Sequence, residues 1–301
     1  MSDEIKHECG LAFIRLRKPL SYYLQTRGSV TYGLNKLYLL MEKQHNRGQD
    51  GAGLATLKLN IEPGNPFLYR LRSNASQPIA DLFYKIGLEI QELEKFQPDI
   101  TKHPGLMKGH LPFMGEILLG HLRYGTQGKN NVEFCHPFIK RNLVPGKNIA
   151  LAGNFNLVNT DELFQKINFD PGPFEKQSDL AAMMEVVHHF LVQEDDKNPN
   201  AANIANILQK ATPMFDGGYT IGGLLGNGSS FVMRDAHGIR PAYYYVSDDV
   251  IVAASERAAI RTTFNVGENE VKELLWELNA GFIGNTEIKT INISNGEAAI
   301  F

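Results

Sequence analysis

The sequence predicts an α+β fold in which helices cluster around antiparallel strands. Three observations carry this. Strand-like and helix-like segments alternate along the first two thirds of the chain, and short apolar runs separated by turn signals fill the last third. No internal repeat or low-complexity stretch interrupts them, and helices clustered around antiparallel strands favour layered sheets over a parallel doubly wound arrangement. With 301 residues, 43% hydrophobic and 21% charged, the chain has the composition of an ordinary globular protein able to bury a sizeable core.

Residues 9–15 predict a strand, apolar from Leu11 to Ile14. Across 30–44, Leu34, Leu37, Tyr38 and Met41 recur at helical spacing, so one face packs inward. Residues 52–59 alternate as a strand, and 79–94 predict a second amphipathic helix. The stretch 97–115 is punctuated by Pro and Gly, and the region around 60–115 reads as an insertion. Strands are predicted at 117–124 and 148–153, and helices at 160–167, 179–193 and 201–210. Four short runs then follow, at 218–225, 230–234, 242–246 and 250–254. The turn signals Gly-Asn-Gly, Gly-Ile-Arg-Pro and Asp-Asp separate them, and together they read as an antiparallel meander.

Charge and cysteine usage exclude several classes. The net charge of −3 and pI near 6.3 give no footprint for nucleic acid or an acidic membrane surface. The 2 cysteines, Cys9 and Cys135, cannot build a disulfide framework or a zinc site, so a reduced, cytoplasmic setting is expected. Residues 1–8 are polar and too short for a signal peptide, and no run approaches the length of a membrane span.

The chemistry is concentrated at Cys9-Gly10, which opens the first strand. If residues 1–8 are removed as a propeptide, Cys9 becomes the first residue and carries both a thiol nucleophile and its own base, the α-amine. An α-amine titrates near ~7.7–8.0 and a thiol near ~8.5, so the two exchange a proton near neutrality without a histidine. A small buried hydrophobe at a strand start remains the alternative. Three further clusters bear on the choice. Arg47-Gly48-Gln49-Asp50-Gly51-Ala52-Gly53 is a glycine-rich loop that lets backbone approach a ligand, or else a helix cap and turn. His121-Leu122-Arg123-Tyr124-Gly125-Thr126 sets a guanidinium and a hydroxyl at a strand end, a pair suited to a carboxylate. Gly153-Asn154-Phe155-Asn156-Leu157-Val158-Asn159 reads as a turn whose amides could donate to an oxyanion.

In this order, with Ser178-Asp179 downstream, the clusters resemble the glutaminase domain of amidophosphoribosyltransferases, a family of class II glutamine amidotransferases. Asp235 with Gly238-Ile239-Arg240-Pro241, and Ala254-Ser255-Glu256, add to the match, which covers nearly the whole chain outside roughly 60–115. The resemblance implies a four-layer αββα N-terminal-nucleophile hydrolase sandwich, with the glutaminase domain over 9–275 and an unassigned tail over 276–301. It implies Cys9 as nucleophile on the glutamine side-chain amide. Arg123 and Thr126, with Tyr124 and Gly125 between them, would hold the α-carboxylate. Asp179 would hold the α-amine, and Arg47 would brace the cysteine. Asn154 and the backbone N–H of Phe155 would face the oxyanion. Two departures stand out: Phe155 replaces a glycine, and Asn46 replaces a histidine before Arg47.

Cys135-His136 is adjacent in sequence and points to opposite faces of an extended segment, which argues against a Cys/His dyad. His188-His189 reads as part of a helix face, and no metal is expected. The family's second, phosphoribosyltransferase domain needs a Gly/Thr-rich phosphate loop after paired acids. Asp248-Asp249 lies between apolar runs and predicts a hairpin turn instead, so that domain, with its magnesium and 5-phosphoribosyl diphosphate, is expected to be absent. The expected partners are L-glutamine and that missing C-terminal domain, with homo-oligomerisation in the full enzyme. The expected activity is glutamine hydrolysis whose ammonia would otherwise pass to the diphosphate in de novo purine synthesis. An N-terminal-nucleophile amidohydrolase acting on another amide, and a non-catalytic glutamine-binding module, are the alternatives.

Overall fold

A computed structural model describes residues 8–125, 131–194 and 203–274, and two strands beyond them. The first half runs β1 (Gly10–Leu16), α1 (Leu20–Arg27), α2 (Tyr32–Glu42), β2 (Gly51–Leu57), β3 (Leu68–Ser73), α3 (Pro78–Phe96), α4 (Pro104–His110), β4 (Ile117–Arg123) and β5 (Phe138–Lys140). The second half runs β6 (Ile149–Leu157), α5 (Thr160–Lys166), α6 (Asp179–Gln193), α7 (Ile204–Ala211), β7 (Gly217–Leu225), β8 (Ser230–Asp235), β9 (Tyr243–Val246), β10 (Val250–Ala254), α8 (Arg257–Phe264), β11 (Lys272–Glu273), β12 (Lys289–Ile293) and β13 (Gly296–Ile300).

These strands make two antiparallel sheets, ordered β11-β9-β10-β1-β4-β2-β3 and β12-β13-β8-β7-β6-β5. The sheets pack face to face. Leu11, Phe13 and Leu119 of the first meet Ala152, Leu224 and Val232 of the second in a shared apolar seam. On β1 the intervening Ala12, Ile14 and Leu16 turn the other way, against α1, α2 and α8. This central strand is therefore buried on both faces over Leu11–Ile14, which is why that stretch reads as a continuous apolar run rather than an alternating one. Helices α5, α6 and α7 cover the far side of the second sheet. The layers are αββα, as the resemblance implies.

Ser178 caps α6, accepting a hydrogen bond from the Ala181 N–H at 3.3 Å, so the predicted start at Asp179 is fixed by its cap. Helix α1 was not apparent in the sequence. It buries only Leu20 and Tyr23, too few positions to show a period, and Gly28 at φ +70 ends it. Two other readings are corrected. The last third is not one meander: β7–β8 belongs to the second sheet and β9–β10 to the first, and the Gly-Ile-Arg-Pro loop crosses between them. The asparagine-rich cluster after residue 153 is not a turn, because β6 continues to Leu157 in register with β7. Asp248-Asp249 does form the β9–β10 turn, where the Asp249 carboxylate accepts from Tyr22 Oη and Arg27, each at 2.7 Å.

Candidate active site

The site sits at one end of the seam, where β1 and β4 of one sheet meet β6 of the other. Cys9 immediately precedes β1, and β1 is held in place by Ser255. Its Oγ accepts the Leu11 N–H at 2.9 Å and its own N–H donates to Leu11 O at 3.1 Å. The thiol faces the turn after β4, with the Tyr124 N–H donating to Cys9 Sγ at 3.4 Å. Burial raises the thiol's pKa. The Tyr124 N–H and the guanidinium groups of Arg123, Arg47 and Arg240 oppose this by favouring the thiolate.

A cavity of about 130 Å3 opens beside the sulfur, lined by Cys9, Arg123, Phe155 and Asp179 among others. An engineered apolar cavity of about 150 Å3 holds benzene, so a group the size of a side-chain amide fits here. Arg123 closes β4 and is buried, with its guanidinium carbon 6.0 Å from the centre of the Phe134 ring. The Arg-Gly-Gln-Asp loop locks this strand end. The Asp50 N–H donates to Arg123 O at 3.0 Å and its Oδ2 accepts the Gly125 N–H at 2.8 Å. Glycine is required at position 48, where a Cβ would lie 2.6 Å from the Arg123 carbonyl carbon. Asp179 opens α6 and accepts from the Leu157 N–H at 3.0 Å and from Thr160 Oγ1 at 3.3 Å. Those two bonds leave further acceptor positions on its carboxylate.

The ladder between β6 and β7 settles which backbone groups reach the cavity. Tyr219, opposite Phe155, donates its N–H away from β6, to Asp235 Oδ2 at 3.1 Å. Val158 donates to Asp216 O and Gly226 to Asn148 O across the same pair, so the even-numbered residues of β6 carry the ladder bonds. The odd-numbered ones face outward. Gly153 O accepts from His121 Nε2 at 2.9 Å, the Leu157 N–H reaches Asp179, and the Phe155 N–H between them faces the cavity. Phe155 keeps a negative φ, so no glycine is needed there.

Arg47 bridges the cysteine region. Its Nε donates to Cys9 O at 3.2 Å, and its terminal nitrogens meet Glu8 at 2.8 Å and Glu256 at 3.6 Å. Asn154 directs Nδ2 to Glu8 Oε2 at 3.1 Å. Thr126 lies outside the described residues, as do residues 1–7 of the expected propeptide, residue 275 and residues 276–288 of the tail. Cys135 is fully buried with its sulfur 3.6 Å from Ser73 O, apart from His136, which lines the cavity. The sequence readings missed three site residues. His136 stacks on Phe155 with ring centres 5.4 Å apart and sets Nδ1 3.1 Å from His121 Nε2. Arg240 and Glu8 meet in an ion pair beside Cys9. The Gly-Ile-Arg-Pro motif was a signal for Arg240; for Glu8 the sequence gives no signal beyond adjacency. Among the described residues no cluster of His, Cys, Asp or Glu could hold a metal ion, and no helix is long and apolar enough to cross a membrane.

Residues 137–262 match the glutamine amidotransferase domain family. The chain carries a glutamine amidotransferase domain. It is 25% identical over 272 residues to the amidophosphoribosyltransferase of Methanothermobacter thermautotrophicus, covering 90% of this chain and 46% of that protein. It is 28% identical over 227 residues to the Methanocaldococcus jannaschii amidophosphoribosyltransferase, covering 75% and 40%. The fold is shared with the glutamine phosphoribosylpyrophosphate amidotransferase of B. subtilis solved with ADP and GMP. That match has a TM-score of 0.53 and 20% identity over 90% of this chain and 50% of that one. The chain thus spans about half the length of the relatives it matches.

Proposed function

We infer that the chain is the glutaminase half of an amidophosphoribosyltransferase-like enzyme and hydrolyses L-glutamine to glutamate and ammonia. The observation that carries this reading is the convergence on one cavity of Cys9 Sγ, Arg123, Asp179 and the Phe155 N–H. Arg123 takes the α-carboxylate and Asp179 the α-ammonium, a pair of opposite charges matched to an amino acid. The side-chain amide is then placed at the sulfur.

Removal of residues 1–8 frees the Cys9 α-amine. The amine accepts the thiol proton as sulfur adds to the amide carbon, and the carbonyl oxygen becomes an oxyanion facing Asn154 Nδ2 and the Phe155 N–H. The ammonium returns that proton to the nitrogen as the C–N bond breaks. Ammonia leaves and a γ-glutamyl thioester remains. Water, deprotonated by the same amine, adds to the thioester, and collapse releases glutamate and restores the thiol. In the longer enzymes that this chain resembles, the ammonia would go to 5-phosphoribosyl diphosphate.

The test is glutamate release by protein whose N-terminus has been sequenced. Protein beginning at Cys9 turns over glutamine, and Cys9→Ala does not. Full turnover by protein still beginning at Met1 would overturn the amine-base mechanism.

A further inference from the structure

The residue before Cys9 makes more polar contacts than its place in a segment to be discarded requires. Glu8 Oε2 accepts from Arg47 at 2.8 Å and from Asn154 Nδ2 at 3.1 Å, and Oε1 pairs with Arg240. These four side chains come from the segment before β1, the loop before β2, the strand β6 and the β8–β9 loop. The Arg47 side chain, and the backbone that carries Asn154 and Arg240, are held independently of Glu8. Arg47 also bonds Cys9 O and pairs with Glu256. Asn154 is a buried member of the β6 ladder. Arg240 stands on a loop organised by one carboxylate: Asp235 accepts the N–H groups of His237, Ile239 and Arg240 at 3.0, 3.0 and 3.1 Å, as well as that of Tyr219. The loop turns at Gly238 with φ +62. Two guanidinium groups and one amide, carried on fixed backbone and converging on a point next to the nucleophile, make a carboxylate site.

We propose that Arg47, Arg240 and Asn154 form a carboxylate cradle beside Cys9, and that Glu8 fills it in the uncut chain as a latch. The latch acts in two ways. It neutralises two cations that would otherwise favour the Cys9 thiolate, and it occupies the Asn154 amide that the proposed reaction directs at the oxyanion. Glu8 ends in the same –CH2–CH2–COO⁻ group as the glutamate product, which is why it suits donors that face a γ-carbonyl oxygen. Removing residues 1–8 then frees the base, the cations and the oxyanion donor in one event. This consequence rests on the glutaminase reading, whereas the cradle itself is a property of the uncut chain.

The experiment uses the full chain, without glutamine, and reads the rate of Cys9 alkylation by iodoacetamide at pH 7, with the labelled cysteine identified by peptide mass. Glu8→Gln keeps the shape and removes the charge, and Cys9 should react at least about threefold faster, equivalent to half a pKa unit of thiolate stabilisation. Glu8→Ala empties the cradle. Added propionate, which carries the missing group, should slow its alkylation back toward the wild-type rate, and should leave the wild type unaffected. Combining Glu8→Ala with Arg240→Gln should abolish the response to propionate. Equal rates for wild type and Glu8→Gln, or a Glu8→Ala rate indifferent to propionate, overturn the proposal. A chain that passes these tests but releases no glutamate after processing refutes the glutaminase reading and leaves the cradle standing.

Discussion

Replacing Asp179 by Asn tests the proposed recognition of the substrate α-ammonium while keeping the contacts that join β6 to α6. The amide keeps an oxygen for the Leu157 N–H, now 3.0 Å from Oδ2, and can keep the contact with Thr160 Oγ1, so β6 and the start of α6 stay joined. What is lost is the negative charge that the proposed function sets against the substrate α-ammonium. A hydrogen bond to a charged group contributes about 1.5–3 kcal/mol, which corresponds to roughly a ten- to hundredfold fall in kcat/KM for glutamine. The loss should fall mainly on KM, because the α-ammonium is held equally in the ground state and the transition state. A second, smaller cost is structural, since an acidic residue in the first turn of a helix contributes about 0.3–1 kcal/mol. The assay is glutamate release against glutamine concentration on processed protein, with a thermal melt run in parallel. Wild-type kcat/KM in a normally folded Asp179→Asn protein would refute the placement of the α-amine at this carboxylate. A large fall in kcat at unchanged KM would show that Asp179 acts on the reacting atoms rather than on recognition.

Active protein should begin at Cys9, which intact mass and N-terminal sequencing will check. A diazoketone analogue of glutamine should alkylate Cys9 and spare Cys135, whose sulfur is fully buried against Ser73 O; peptide mapping decides, and label on Cys135 would reject the assignment. Replacing Arg123 by Gln should lower kcat/KM for glutamine by a similar ten- to hundredfold, about 1.5–3 kcal/mol, with little change for an amide substrate lacking the α-carboxylate. Burial, opposed by the bond to Gly153 O, pushes the His121 pKa down to about 3 from 6.5. Its neutral form is therefore favoured in the fold, and the unfolded chain binds the extra proton between those values. The stability this group contributes is complete above about pH 6.5 and is lost as pH falls toward 3. Urea midpoints across that window should decline less in His121→Gln than in the wild type.

The two-sheet layout was legible where burial imposes a pattern. β1, β4 and β10 are largely buried on both faces and mostly apolar, and α6 carries an unambiguous cap at Ser178. It was illegible where position in space, rather than local pattern, decides. Nothing in 218–254 says that β7–β8 and β9–β10 sit in different sheets, because each hairpin looks the same from within. The site was legible through residues whose chemistry is unusual for their setting, such as a cysteine near the chain start and an arginine ending an apolar strand. His136, weighed in the sequence only as a partner for Cys135, and Glu8 were not placed at the cavity because their contacts depend on partners 15 and 232 residues away: His121 for the first and Arg240 for the second.

Position 155 shows how the fold relaxes a requirement that a turn reading of the motif would impose. The resemblance implies Asn-Gly where this chain has Asn154-Phe155, and a turn demanding positive φ would have excluded phenylalanine. The structure continues β6 through this point instead, and strand geometry alone turns three successive odd-numbered residues outward. Gly153 offers a carbonyl to His121, Phe155 an N–H to the cavity, and Leu157 an N–H to Asp179. The donor at 155 is backbone, so its direction depends on the register with β7 and not on the side chain. That register is fixed from Ile149↔Leu225 to Leu157↔Gly217, with Asp235 holding Tyr219 on the far side. The phenyl ring is then free to serve the cavity wall, where it stacks on His136. The same Asp235 carboxylate that orients Tyr219 also accepts the Arg240 N–H. One buried acid therefore holds both the strand beside β6, whose Phe155 N–H faces the cavity, and the loop that carries Arg240 beside Cys9.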